Sequence, residues 1–303
     1  MKKLFLCFVS VVFIGAALFS QETVSGIKVS SPNGAPALAL ALLAQKNPDD
    51  FTYVAAEAIA AEFASAKSDF IIAPVNAGAK LFKMGKSSYK LAAVVTWGNL
   101  YFASQKKNFK LKDIKKSELT LFGENTINAS VALYSLQKHT ISAKSIKYLG
   151  SAAATQSLLL SDSNAIVLTA EPALSAAKIK NLRITAYSVN ELYKKATGFD
   201  GYTQAGLFVK SETVEQHPEA VKEFLNRAKD SVAKCSDDVA TVASAAVALE
   251  ILPNVTIAQA AIPQCALRYM SARDAKKQVE ATANIDLKQF GGSVPADDFY
   301  YGE

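Results

Sequence analysis

The chain's one tryptophan sits in Thr96-Trp97-Gly98-Asn99, directly after the apolar run Leu91–Val95. A similar turn, Pro74-Val75-Asn76-Ala77-Gly78, follows the apolar run Phe70–Ala73. An indole offers a flat apolar face with a single N–H, and an asparagine side chain both donates and accepts hydrogen bonds. That chemistry suits holding a small organic molecule, and we read Trp97 as the floor of its pocket. A buried core plug is the other place for a tryptophan; the Gly98 and Asn99 neighbours favour the pocket. Further polar or glycine-bearing turns contain Asn33-Gly34-Ala35-Pro36, Gly123-Glu124-Asn125-Thr126, Gly150-Ser151 and Ala170-Glu171-Pro172. Each opens a helix-like segment, and helix starts present unpaired N–H groups with a partial positive charge.

Motifs for covalent or redox chemistry are not found. The sequence has no Gly-x-Ser-x-Gly elbow, no phosphate-binding loop, no His-Glu-x-x-His and no spaced Cys/His set, so no metal and no cofactor is expected. Ser31-Pro32-Asn33-Gly34-Ala35 follows an apolar run but lacks the glycine spacing of a dinucleotide loop. His139 and His217 fall at helix ends, where capping or surface roles fit better than ligation. The formal charge of +6 comes from lysines scattered along the chain, which marks a solvated face and not a nucleic-acid surface. A mild positive field of this kind would favour an anionic ligand.

Met1-Lys2-Lys3, the uncharged apolar run Leu4–Phe19 and the polar Gln21-Glu22 have the three-part layout of a secretory signal peptide over residues 1–20. The run is shorter than the ~20 residues of a spanning helix, which leaves a retained anchor as the alternative. Cys7 would leave with this leader, and Cys235 and Cys265 remain. In an oxidising compartment such a pair is expected to form a disulfide, closing a loop of about thirty residues and stabilising by about 3–4 kcal/mol. Two buried free thiols are the alternative.

The elements that must position these turns alternate between strand and helix. Strands are predicted at 27–30, 51–55, 70–73 and 91–95, with helices over 37–45, 56–66 and 77–84 between them. After Gln105 the composition shifts, and a second series has strands at 119–122, 145–149, 165–169 and 182–187. Asp200 to Gln204 is a polar, glycine-bearing crossing before a strand at 205–209. The remainder is helical and needs a sheet to pack on. Alternation of this kind makes an α/β protein with open, mostly parallel sheets, whose ligands bind outside the carboxyl ends of the strands.

Asp69-Phe70-Ile71-Ile72-Ala73-Pro74-Val75-Asn76, Thr96-Trp97-Gly98-Asn99-Leu100-Tyr101 and Ala170-Glu171-Pro172 carry a resemblance. So do Ala261-Ile262-Pro263-Gln264-Cys265 and the ending Gly291-Gly292-Ser293-Val294-Pro295 to Phe299-Tyr300-Tyr301. In these pieces, and in their order, the chain resembles the type II periplasmic substrate-binding proteins of ABC importers, in the branch of nitrate, sulfonate, taurine and thiamine-precursor binders. The resemblance implies two lobes, 21–105 plus 206–303 and 106–205, joined by crossings near Ala103–Lys107 and Thr203–Phe208. It implies an exported, periplasmic monomer that delivers a small organic molecule to an inner-membrane permease. It also implies pocket positions at Asn33, Gly34, Pro74, Asn76, Trp97, Asn99, Glu124, Asn125, Thr126 and Glu171, to which the turns add Thr96 and Ser151. Many relatives have Gly and Thr after the first strand, where this chain has Asn33-Gly34-Ala35, and Arg183, Arg227, Arg268 and Arg273 lie outside the turns. The ligand expected is therefore one with a planar or apolar part on Trp97, fixed by Asn76, Asn99 and Glu171. An enzyme on the same fold, acting on a thiamine or quinone precursor through Ser151 or Glu171, is the alternative.

Overall fold

The computed structural model describes residues 26–302, so the expected signal peptide lies outside the described residues. Eleven strands form two sheets: β1 Val29–Pro32, β2 Phe51–Val54, β3 Phe70–Pro74, β4 Tyr89–Thr96, β5 Leu100–Ser104, β6 Glu118–Phe122, β7 Ser145–Leu149, β8 Ile166–Ala170, β9 Thr185–Ser188, β10 Ala205–Lys210 and β11 Leu267–Ser271. The first sheet has six strands in the order β11-β4-β10-β3-β1-β2, and the second has five in the order β7-β6-β8-β5-β9. In the first, β1 pairs in parallel with β2 and β3, whereas β10 lies antiparallel between β3 and β4. In the second, β6 pairs in parallel with β7 and β8, whereas β5 lies antiparallel between β8 and β9. Each sheet therefore has mostly co-directional strands with an antiparallel strand inserted where the chain arrives from the other sheet, and the first sheet has a second antiparallel strand, β11, at its edge beside β4.

The inner strands read as unbroken apolar runs because helices cover both of their faces. Phe70 to Ala73 in β3 are all buried, and every residue of β4 except Lys90 is buried. The twenty-residue helix Pro218–Asp237 packs on the first sheet, with Phe224 stacked on Phe70 at 4.2 Å between ring centroids. The C-terminal ending docks as its aromatic content predicts: Phe299 and Tyr300 are buried, and Tyr301 N donates to the Leu91 carbonyl of β4.

Two strands and a helix escape the sequence pattern. β5 follows β4 after only Trp97-Gly98-Asn99, without the intervening helix that marks a βαβ unit. β11 is a half-buried edge strand carrying Arg268, so it shows no apolar run. The helix Val189–Thr197 turns an amphipathic, lysine-bearing face outward and hides Val189, Leu192 and Tyr193. Because β5 belongs to the second sheet, the first crossing runs from Thr96 to Leu100 and not through Ala103–Lys107. The second runs from the end of the helix Val189–Thr197 to Ala205.

The expected disulfide is not formed: Cys235 and Cys265 are both free, buried thiols. They sit in a core of small side chains that includes Ala41, Ala243, Ala246 and Ala258. Cys235 Sγ lies 3.6 Å from the Leu38 carbonyl and 3.7 Å from that of Ser231, both acceptors for a thiol hydrogen. Burial pushes the Cys235 thiol up to about 12 and the Cys265 thiol well above its ordinary value, so neither is an accessible thiolate. Ellman's reagent is expected to find both thiols in denatured, unreduced protein and neither in native protein. A melting temperature that falls on adding reductant contradicts this arrangement.

Candidate functional site

The strands β1, β3, β6 and β8 end at Pro32, Pro74, Phe122 and Ala170, and all four of these residues line one cavity of about 340 Å³. A cavity at the carboxyl ends of parallel strands is where open α/β sheets bind ligands. Two of the strands come from each sheet, so the cavity is a cleft between two lobes. The two crossings supply its remaining wall through Asn99-Leu100 and Gln204-Ala205. Ile59, Leu100, Phe122 and Ile127 make most of the lining apolar.

Hydrogen bonds stitch the polar part of the wall together. Asn99 Nδ2 donates to the Glu171 carbonyl at 2.8 Å, and Glu171 N donates back to the Asn99 carbonyl at 3.0 Å. Gln204 Nε2 donates to Asn99 Oδ1 at 3.0 Å and to Asn128 Oδ1 at 3.3 Å. One carboxamide from each crossing thus meets the start of the helix Ile127–Lys138 and the end of β8. The Glu171 side chain turns the other way along the chain: Oε2 accepts from Ser175 N at 3.0 Å, in the first turn of the helix Ala173–Lys180. Only 4% of Glu171 is exposed, and burial raises its carboxyl above the usual carboxylate range, opposed by the Ser175 hydrogen bonds and by Lys178.

No protein-family model matches the chain, and no curated protein matches it by sequence. Solved structures do match it. A protein described as an ABC transporter from Parabacteroides distasonis superposes with a TM-score of 0.80 at 21% identity, over 91% of this chain and 99% of that one. The periplasmic aliphatic sulphonate binding protein SsuA from Escherichia coli gives 0.68 at 13% identity, over 91% and 92%. The alkanesulfonate-binding protein SsuA from Xanthomonas axonopodis pv. citri, bound to MOPS, gives 0.64 at 14% identity, over 90% and 96%. This is the type II periplasmic binding protein fold.

Of the residues expected in the pocket, Asn33, Gly34, Pro74, Asn99 and Glu171 line the cleft of this fold. Asn128, Gln204 and Phe122 join them without having been expected; Asn128 stands two residues past the Thr126 turn and Gln204 closes the polar crossing. Three of the other expected residues serve the helices or sheets that frame the cleft. Thr126 Oγ1 donates to the Gly123 carbonyl at 2.6 Å and accepts from Ala129 N at 3.5 Å, which makes it a helix cap. Ser151 Oγ caps the helix Ala152–Ser161 by accepting from Ala154 N at 3.2 Å. Thr96 Oγ1 accepts from Ala205 N at 2.8 Å and ties β4 to β10. Glu124 is exposed, and the Asn125 carbonyl accepts from Gln289 Nε2 at 2.8 Å. Asn76 lies in the first turn of the helix Val75–Lys83 and has a buried Oδ1 without a protein partner, outside the cleft lining.

Trp97 is not the floor of the cleft. It is 2% exposed, its Nε1 donates to the Arg268 carbonyl at 2.8 Å, and the Arg268 guanidinium stands over its ring at 4.3 Å. It borders a separate cavity of about 390 Å³, shared with Tyr101, Asp200 and Arg268, which has no lining residue in common with the cleft. Arg268 also bridges to the second crossing, with Nη1 3.1 Å from Asp200 Oδ2 and Nη2 donating to the Asp200 carbonyl at 3.0 Å. Lys194 reaches the same Asp200 at 2.9 Å and holds its carboxyl below the usual range. The indole is therefore a structural pin where the two crossings meet. Trp97→Ala is expected to cost about 3–5 kcal/mol of stability by emptying a packed site. Chemical denaturation measures it, and a variant as stable as the parent refutes the pin.

Proposed function

We propose that this chain is the extracytoplasmic solute-binding component of an ABC importer, a monomer that captures a small organic molecule between its lobes and presents it to a membrane permease. The observation that carries this reading is the cleft itself, built from two strand ends of each sheet and walled by both crossings. A molecule held there touches both lobes at once, so it favours the closed arrangement by its contacts with the two sides. The fold's solved neighbours include proteins named as sulphonate binders and an ABC transporter, which supports the same reading. Export follows from that role and from the leader layout of residues 1–20, and among the described residues no helix is long and apolar enough to cross a membrane. The alternative of an enzyme has less support, since its two candidate groups, Ser151 Oγ and Glu171 Oε2, each accept from a helix N–H.

The test is a thermal-shift screen against small organic molecules, followed by small-angle scattering on any hit. A true cargo at one hundred times its dissociation constant is expected to add about 2.7 kcal/mol of stability. It is also expected to compact the protein and to be recovered chemically unchanged. Recovery of a converted product refutes the binder. Asn128→Ala removes a cleft carboxamide from a half-buried helix start and is expected to weaken a hit about tenfold, the worth of one or two hydrogen bonds. Calorimetry of parent and variant measures the ratio.

A further inference from the structure

We infer that the cleft selects an uncharged, largely apolar organic molecule with one or two hydrogen-bonding groups, and rejects sulfonates and other small anions. This rests on the proposed solute-binding role and narrows it to a ligand class.

An anion in a closed cleft is held most strongly by a cationic side chain, whose full opposite charge replaces its water. Among the described residues, no lysine, arginine or histidine lines the cleft, and its one ionisable lining residue is Glu171, of the wrong sign. Four helices of eight or more residues start beside the cleft, at Val75, Ile127, Ala152 and Ala173. Their first-turn N–H groups are partial charges only, and part of them are engaged within the chain: Val75 N by the Gln204 carbonyl, Ala129 N by Thr126, Ala154 N by Ser151 and Ser175 N by Glu171. The carboxamide donors of the wall are engaged too, Asn99 Nδ2 by the Glu171 carbonyl and Gln204 Nε2 by Asn99 Oδ1 and Asn128 Oδ1.

The side chains that line the cleft offer a ligand apolar surface and two neutral polar groups with free capacity. Ile59, Leu100, Phe122 and Ile127 offer the body of a ligand contact with no charge to satisfy. The Asn33 side chain and Asn128 Nδ2 face the cleft lining without a protein partner among the described residues. Both are neutral, which suits a carbonyl, hydroxyl or ring nitrogen on an otherwise apolar molecule. A cationic ligand fits less well, because the Glu171 carboxyl is committed to Ser175 and its burial disfavours the charged form. The chain's positive charge is thus carried on lysines outside the cleft and does not reach the bound molecule.

The test uses calorimetry on the purified protein with three size-matched libraries: alkanesulfonates, alkylammonium ions, and uncharged amides, alcohols and heterocycles. Binding confined to the uncharged library, with affinity changing less than twofold between 20 and 300 mM NaCl, is the expected result. A parent protein that binds butanesulfonate with micromolar affinity overturns the inference and leaves the solute-binding role standing. The same holds for an alkylammonium ion whose affinity drops more than tenfold in Glu171→Gln. Binding by no library, with no small molecule retained in native mass spectrometry of the protein as isolated, overturns the solute-binding role and the inference with it. Asn128→Arg supplies the missing cation and is expected to gain butanesulfonate binding at least tenfold over the parent. Ile59→Lys does the same from the opposite wall should the first variant fail to fold. A folded cationic variant that still ignores butanesulfonate overturns the charge argument.

Discussion

The close approach of two backbone segments governs this structure. The first crossing passes through Gly98 and the second through Gly201, and there is no room at either for a side chain. A Cβ on Gly98 would stand 2.2 Å from a Tyr202 ring carbon, and one on Gly201 would stand 2.6 Å from the Trp97 carbonyl. Both residues also adopt positive φ, at 90° and 105°, which glycine enters without penalty. Further hydrogen bonds surround this contact. Asn190 Nδ2 donates to the Gly98 carbonyl at 2.7 Å, and Gln204 N donates to the Thr96 carbonyl at 3.0 Å. The touching crossings form the joint where the chain passes between the two sheets, a pivot on which a ligand held by both lobes can act.

The pivot also separates two sets of chemistry. The ion pairs of Asp200 with Lys194 and Arg268 gather around Trp97, whereas the carboxamides of Asn99 and Gln204 face the cleft. Successive residues of a short extended segment point to opposite sides, so residues two apart share a side. Trp97 and Asn99 are two apart, but Gly98 at positive φ between them breaks that rule and sends them to different cavities. Charges thus brace the joint while neutral groups meet the ligand. This division has an energetic logic: partly exposed ion pairs keep some hydration, and a desolvated cleft is cheapest when its walls are uncharged.

Much of the fold was legible because burial on both faces leaves a plain signature. Phe70–Ala73 and Leu91–Val95 are continuous apolar runs, and helices fit between them. β5 and β11 were not legible for the opposite reason. β5 pairs antiparallel immediately after a three-residue crossing, and β11 is an edge strand whose Arg268 and Tyr269 look like surface residues. The crossing point followed from that omission: with Leu100–Ser104 unassigned, the composition shift after Gln105 was the visible boundary. The Cys235–Cys265 pair was misjudged because compartment and spacing say nothing of local packing, and here each sulfur is already housed among alanines.

The candidate site divides the same way. Turns at strand ends were visible as Asn33-Gly34, Pro74, Asn99 and Glu171, and topology alone brings these together, since they end strands of two facing sheets. Thr126, Ser151 and Thr96 have the same polar types at similar places, yet they serve the backbone. A hydroxyl one residue before a helix meets the N–H two or three residues on before any ligand can, so residue type at a helix start identifies a cap more often than a contact. Around this cleft Thr126, Ser151 and Glu171 each take one first-turn N–H of the helix that follows them, so these polar side chains shape the frame of the site from the backbone side.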